Sequence, residues 1–424
     1  MMESLKLLTK ILISTVVIAG ISFAQTITVW AWNIAVPAIE SSIESFQEMN
    51  PGVEVVVEDL GNQNVFDRGL AGCAAGGFEM PDLYLIENNE AEIFWSQFPD
   101  CFVDLATLGA EELLPLFPDF KWTELIVDGA IYAIPWDSGP TTVFYRRDLY
   151  EQAGISADEI QTWDDFIAAG EKVLEATDGT VKMGVISIGS DDEWFRMIAN
   201  QAGCFYFDVE GQEVTVNQPG CVLALETVKK LVDAGVIAVG GWPEQIQLFQ
   251  NNNLASSVYG SWYGGTIQSE APEQAGLWGA YPPPALEPGG VRASNIGGSS
   301  FAIPSSSENQ ELTYEFAKNF LANADNQITS LRDYGLTPSL LSTFEEAYIS
   351  EPVDFYGGQA VWQDILATLG EVLPARGTQF FSEARDVTTA AISDYINGGY
   401  DSAQEALDQA ARQISQATGV PIAQ

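Results

Sequence analysis

The chain has no histidine, so imidazole is missing both as a proton shuttle near neutral pH and as a metal ligand. Positive charge is nearly as scarce. Lys and Arg number 17 against 59 Asp and Glu, a net charge of −42. Nucleic-acid binding needs a basic face to meet the phosphates, and this composition cannot supply one; an anionic membrane surface repels the chain for the same reason. The four cysteines include no C-x-x-C pair, which argues against a thiolate zinc site, and no metal is expected. There is no G-x-S-x-G elbow, no P-loop and no dinucleotide fingerprint, so no cofactor is expected. Beyond the first residues, no apolar run is long enough to cross a membrane.

What is present points to an exported α/β protein. The 424 residues are 46% hydrophobic and 18% charged, enough for two domains with large cores. Residues 1–24 read as a signal peptide: Lys6 and Lys10 precede ILISTVVIAGI, which is too short to span a bilayer, and Ser22-Phe23-Ala24 fits a small-x-small cleavage site. The mature chain would begin at Gln25, with no cysteine near the cut for a lipid anchor and a periplasmic destination. Export places Cys73, Cys101, Cys204 and Cys221 in oxidising surroundings, where three pairings exist. Chain order favours Cys73–Cys101 and Cys204–Cys221, each closing a short loop worth roughly 3 kcal/mol, although the sequence alone leaves the pairing open. The acids are scattered rather than gathered in a tail, so they tax the compact state by self-repulsion unless salt screens them, and we expect a protein that works in high salt.

Periodicity places the elements. ITVWAWN, VEVVVEDL and PDLYLIEN read as strands, with helical spacing at Ile39, Ile43, Phe46 and Met49 and a helix across GNQNVFDRGLAGCAAGG. This β-α-β-α-β alternation implies a mostly parallel sheet with helices on both faces. The pattern restarts after residue 140. TTVFYRRDLY and VKMGVISIG read as strands, and TWDDFIAAGEKVLEA as a helix capped by Thr162 with Asp165 three residues on. CVLALETVKKLVDAG is a helix between Pro219 and Gly235. NIGGSSFAIPSSS is a late strand, YPPPALEPGG a loop, and the end is helical, with a capping box expected at Ser402 and Glu405.

The collinear set ITVWAWN, NPGVEVVV, PDLYLIE, DGAIYAIPWDSGPTTVFYRRDLYEQAGI with TWDDF behind it, VYGSWYGG, GGSSFAIPSSSENQELTYEFAKNFL, YGLTPS and LPAR is similar to the extracellular solute-binding proteins of bacterial ABC importers, in the carbohydrate-binding cluster that includes maltose-binding protein. The similarity covers nearly all of residues 25 to 420. It implies a type II periplasmic-binding-protein fold, two α/β lobes joined by a multi-crossing hinge with the ligand between them. It divides the chain into lobe 1 at 25–137 plus 296–337 and lobe 2 at 138–295 plus 338–424. It implies a monomer that captures a small-molecule carbohydrate, does no covalent chemistry and hands its ligand to membrane permease subunits.

Sugars offer hydroxyls to planar polar groups and a C–H face to aromatic rings, so the 11 Trp and 14 Tyr weigh heavily where they follow strands. The candidate ligand-binding residues are Trp32 and Asn33 after the first strand, Asn62 and Asn64 after the second, and Glu87 and Asn88 after the third. To these we add Trp136 and Asp137 at the crossover, Trp194 after VISIG, Trp262 and Tyr263 in GSWYGG, Gly297 and Gly298 for close backbone approach, and Arg376 as a fork for hydroxyls. Trp262 is the foremost stacking candidate. Trp30 belongs in the core, Asp191 to Glu193 fit either a site or a solvated helix start, Trp242 and Trp278 fit either role, and Tyr334 is a weaker candidate. Two other readings compete: an aromatic cage for a compatible solute such as glycine betaine, and a glycoside hydrolase using Glu87 and Asp137.

Overall fold

The computed structural model describes residues 25–424; the predicted signal peptide lies outside them. Beginning at Gln25, the chain builds a five-stranded sheet whose order, edge to edge, is Val53–Asp59, Gln25–Ala31, Leu83–Glu87, Ser299–Ala302, Ala133–Pro135. The first three strands are mutually parallel, as the alternation of strand and helix requires. The 299–302 strand runs antiparallel to both its neighbours. Its core contains Ile27, Val29, Leu83, Leu85, Phe94, Trp122, Phe301 and Phe320.

The second lobe repeats the arrangement. Thr141–Arg146 lies antiparallel between Ser256–Gly260 and Trp278–Tyr281, while Gly184–Ile186 and Ile237–Val239 form a parallel pair. A parallel bridge from Lys182 to Leu254 joins the pair to the larger sheet. The expectation of a mostly parallel sheet holds in direction, with one opposed strand in each lobe that the alternation did not announce. In each lobe the antiparallel strand is the one that has just arrived from the other lobe: 141–146 follows the first crossing and 299–302 the second. A strand fed from the hinge enters against the direction of strands that return through helices on the same lobe.

Two hydrophobic clusters fill this part of the molecule. One gathers Val143, Trp163, Phe166, Ile198, Leu225 and, from the C-terminal helices, Leu407 and Ile414. The other gathers Phe144, Tyr263, Trp278, Tyr356, Trp362 and Ile365. Helix Trp163–Ala176 starts with the reciprocal Thr162/Asp165 capping box, and Pro219 opens the helix Pro219–Asp233. At Ser402 the cap is only half of what was expected. Its hydroxyl accepts from Glu405 N, but the Glu405 carboxylate reaches back to Asp401 N, one residue earlier. The cysteines pair Cys73–Cys101 and Cys204–Cys221, with Cα–Cα distances of 5.3 and 5.5 Å. No helix among the described residues is long and apolar enough to cross a membrane.

Candidate functional site

Three chain segments pass side by side between the lobes. Trp136 N donates to Ser299 O (3.0 Å) and Ile296 N to Gly139 O (2.8 Å), joining the first crossing to the second. Ser138 N donates to Thr337 O and Ser339 N to Trp136 O (both 2.9 Å), joining the first to the third. Gly139 makes this approach feasible: a Cβ there would sit 1.9 Å from Ile296 O. Gly298 is needed twice over, with φ +104 and the Lys121 ammonium 2.9 Å from where its Cβ would be. Lys121 is buried beneath, donating to Asp137 O (2.7 Å) and Asn88 Oδ1 (3.1 Å). Burial pushes its pKa down to about 8.

Beside the crossings lies a cleft of about 550 Å³, within the range of roughly 300–1,000 Å³ usual for small-molecule sites. Trp32, Asn33, Asn62, Glu87, Trp136 and Asp137 wall one side. Trp242, Trp262 and Glu270 wall the other, and Gly297, Gly298 and Ser299 close the base. Trp262 and Trp242 stack with ring centroids 6.0 Å apart at 20°. Trp262 Nε1 donates to Ile296 O (3.2 Å), which ties the indole to a crossing segment. Asn33 takes a left-handed conformation, φ 49, at the end of the first strand. Asn62 Nδ2 lies 3.5 Å from Glu87 Oε2. Burial, and then the neighbouring Glu90 charge, push the Glu87 carboxyl up to about 7. The Asp137 carboxyl is also raised by burial; Lys121 and the Ser299 N–H, which it accepts at 2.7 Å, pull the other way.

A second cavity of about 280 Å³ shares Trp242 as a wall and is lined by Asp191, Glu193, Trp194, Gln245 and Tyr259 among others. The Tyr259 hydroxyl donates to Glu193, whose carboxyl is pushed up to about 7 by burial and then by Asp191.

Nine of the fourteen candidates thus line the larger cleft: Trp32, Asn33, Asn62, Glu87, Trp136, Asp137, Trp262, Gly297 and Gly298. Among these, Trp136 is 1% exposed and packs on Phe301 and Phe320, so it serves the lobe core more than it offers a platform. Five candidates lie elsewhere. Asn64 is exposed and spends its amide on Leu60 O (2.8 Å) in the first turn of the Asn62–Ala74 helix. Asn88 is buried, with Oδ1 taken by Lys121 and Ser300. Trp194 is buried against Trp163 and touches only the smaller cavity. Tyr263 is wholly buried in the aromatic cluster with Tyr259 and Phe249. Arg376 is saturated by a two-pronged ion pair with Glu92, at 2.7 and 2.8 Å. The wall also includes Trp242, which the sequence left open between two roles, Tyr334, a weaker candidate, and residues the sequence reading did not name, Glu270, Thr266 and Ser269 among them. Trp242 carried a signal, a large apolar residue directly after Gly240-Gly241, and it is 42% exposed.

Two α/β lobes of matching strand order, three bonded crossings and an aromatic, polar cleft beside them define a two-lobed solute-binding protein. The chain belongs to the bacterial extracellular solute-binding protein family, which matches residues 30–328. It is 30% identical over 403 residues to a lactose-binding protein of Rhizobium radiobacter, covering 93% of this chain and 94% of that one. It is 26% identical over 410 residues to an arabinooligosaccharide-binding protein of Halalkalibacterium halodurans, covering 90% and 88%. In fold it is similar to the GacH receptor of Streptomyces glaucescens, with a TM-score of 0.79 at 19% identity over 94% of this chain and 100% of that one. A binding protein of B. animalis subsp. lactis, solved with β-1,6-galactobiose, gives a TM-score of 0.77 at 22% identity, covering 95% and 100%. Membership sets the chain among extracellular binding proteins rather than enzymes.

Proposed function

We propose that this chain is the substrate-binding component of an ABC importer, which captures a sugar or oligosaccharide between its lobes and delivers it to the membrane permease. One observation carries the reading: a cleft walled by indoles and by carboxyl and amide groups drawn from both lobes. Rings stack on the C–H faces of a sugar while Asn62, Glu87 and Asp137 meet its hydroxyls. A closed form is selected because only it touches ligand from both sides. The names of the relatives, lactose- and arabinooligosaccharide-binding, favour this ligand class over a compatible solute. Lobe 1 comprises 25–137 plus 296–337 and lobe 2 comprises 138–295 plus 338–424, a division supported by the bonded crossings at 136–139, 294–299 and 337–339. The protein acts as a periplasmic monomer after loss of residues 1–24.

The test is a thermal-shift panel of mono- and oligosaccharides with glycine betaine, run in molar salt, with released reducing ends assayed in parallel. A shift with sugars and no turnover is expected. A shift with betaine alone, or steady release of reducing ends, overturns the proposal.

A further inference from the structure

The walls of the cleft carry charge of one sign. Glu87, Asp137 and Glu270 line it, with no Lys or Arg among the described residues that do so. The second cavity, beyond Trp242, adds Asp191 and Glu193, again with no basic side chain. The cations nearby stand outside the cleft: Lys121 and Arg196 line a smaller pocket that shares Gly297 with it, Lys121 held by Asp137 O and Asn88 Oδ1 and Arg196 paired through Nε with Asp192 at 2.8 Å, while Arg376 pairs with Glu92 at 2.7 Å and Arg385 with Asp386 at 3.3 Å. Ser299 N, a backbone donor on the cleft wall, is taken by Asp137.

Resting on the reading of this cleft as a sugar site, we propose that it selects uncharged or amino-bearing oligosaccharides and rejects acidic ones, and that the far end of the ligand passes Trp242 into the second cavity. Ionised carboxylates only accept hydrogen bonds, which suits hydroxyl and ammonium donors, and Glu87 and Glu193, pushed up to about 7, hold that form above neutral pH. A uronate or phosphorylated sugar needs a cation to balance its charge, and none stands among the described residues that line either cavity; the neutral indole and amide donors there serve a hydroxyl equally well. Its own negative charge would come within ~4–6 Å of a like charge, the range over which carboxylates disfavour each other's ionisation. The net charge of −42 works in the same direction at longer range, to the extent that salt leaves it unscreened. Trp242 gives the ligand its length, because it belongs to both cavities and its stacked partner Trp262 belongs to the first.

The test is calorimetric titration of the full mature chain with matched series. These are galactobiose and galactotriose with trigalacturonate, cellobiose and cellotriose with the glucosamine trimer, and the tightest neutral binder of the thermal-shift panel at two lengths. In each series that binds, the acidic trimer should be weaker than its neutral counterpart by about tenfold or more, the amino trimer should bind at least as well as the neutral one, and the third sugar unit should tighten binding by about tenfold. Glu193→Gln and Trp242→Ala should both shrink the gain from the third unit. An acidic trimer that binds as tightly as its neutral counterpart, or no gain from the third unit in the wild-type chain, overturns the inference and leaves the sugar reading standing. A chain that binds none of the sugars overturns both.

Discussion

At Trp262 an indole is locked by one hydrogen bond to a crossing segment and by a stack on Trp242, so its face meets the cleft at little entropic cost. Trp262→Ala should weaken sugar binding by about 1–3 kcal/mol, the order of burying a large side chain, with the fold intact by circular dichroism; titration that returns the wild-type affinity removes the residue from the site. Glu87 offers a second check. Its pKa rises from 4.5 to about 7 on folding, chiefly through burial, so the folded chain holds the proton more tightly. This group's contribution to stability is complete below 4.5 and is lost as pH climbs through about 7. The melting temperature of Glu87→Gln minus that of the wild type should therefore increase across that window; a flat difference would mean the carboxyl is not desolvated. Both residues were legible in the sequence, Trp262 through its flanking glycines and Glu87 through the apolar strand that ends on it. Arg376 was not, because what claims it is Glu92, 284 positions away. Nor was Tyr263: its ring packs in the same aromatic cluster as Trp262, 6.2 Å away, and nothing local says which of the two is sealed in.

Among the elements, the long helices followed their periodicity and the Thr162 cap lies where its hydroxyl and Asp165 predicted, whereas TTVFYRRDLY is a strand only to Arg146 and a helix from Arg147, and VKMGVISIG is a strand only at Gly184–Ile186. Thr162→Ala should cost about 1 kcal/mol, readable by denaturant unfolding. The direction of the hinge-fed strands was beyond reach, because alternation of strand and helix reports on neighbours within a lobe and is silent about a chain arriving from outside it. The Cys204–Cys221 bridge spans a separation of 17 residues and ties the loop after one helix to the first turn of the next. Replacing both cysteines with serine should cost about 2–4 kcal/mol. A loss of a few tenths would mean that the 204–221 loop is already ordered by its packing.

For the molecule as a whole, two quantities dominate: the lobe geometry and the charge. The two-lobed class was legible from motif order, whereas the shape of the cleft was not, since its walls are drawn from residues as far apart as Trp32 and Tyr334. A charge of −42 repels itself, and raising salt from 0.01 to 1 M shortens the screening length from roughly 30 to 3 Å. The unfolding midpoint should accordingly climb between dilute and molar potassium chloride, and a midpoint that does not move would detach the acidic composition from any saline setting.

The position of the 299–302 strand also bears on how the protein is made. Among the described residues it is the sole ladder partner of Ala133–Pro135, and one flank of Leu83–Glu87 waits for it. A nascent chain therefore cannot finish its first lobe until most of its length has been synthesised. Such late, long-range pairing makes for slow folding. Slowness of that kind keeps a polypeptide threadable, which is the condition a secretory channel demands of its cargo.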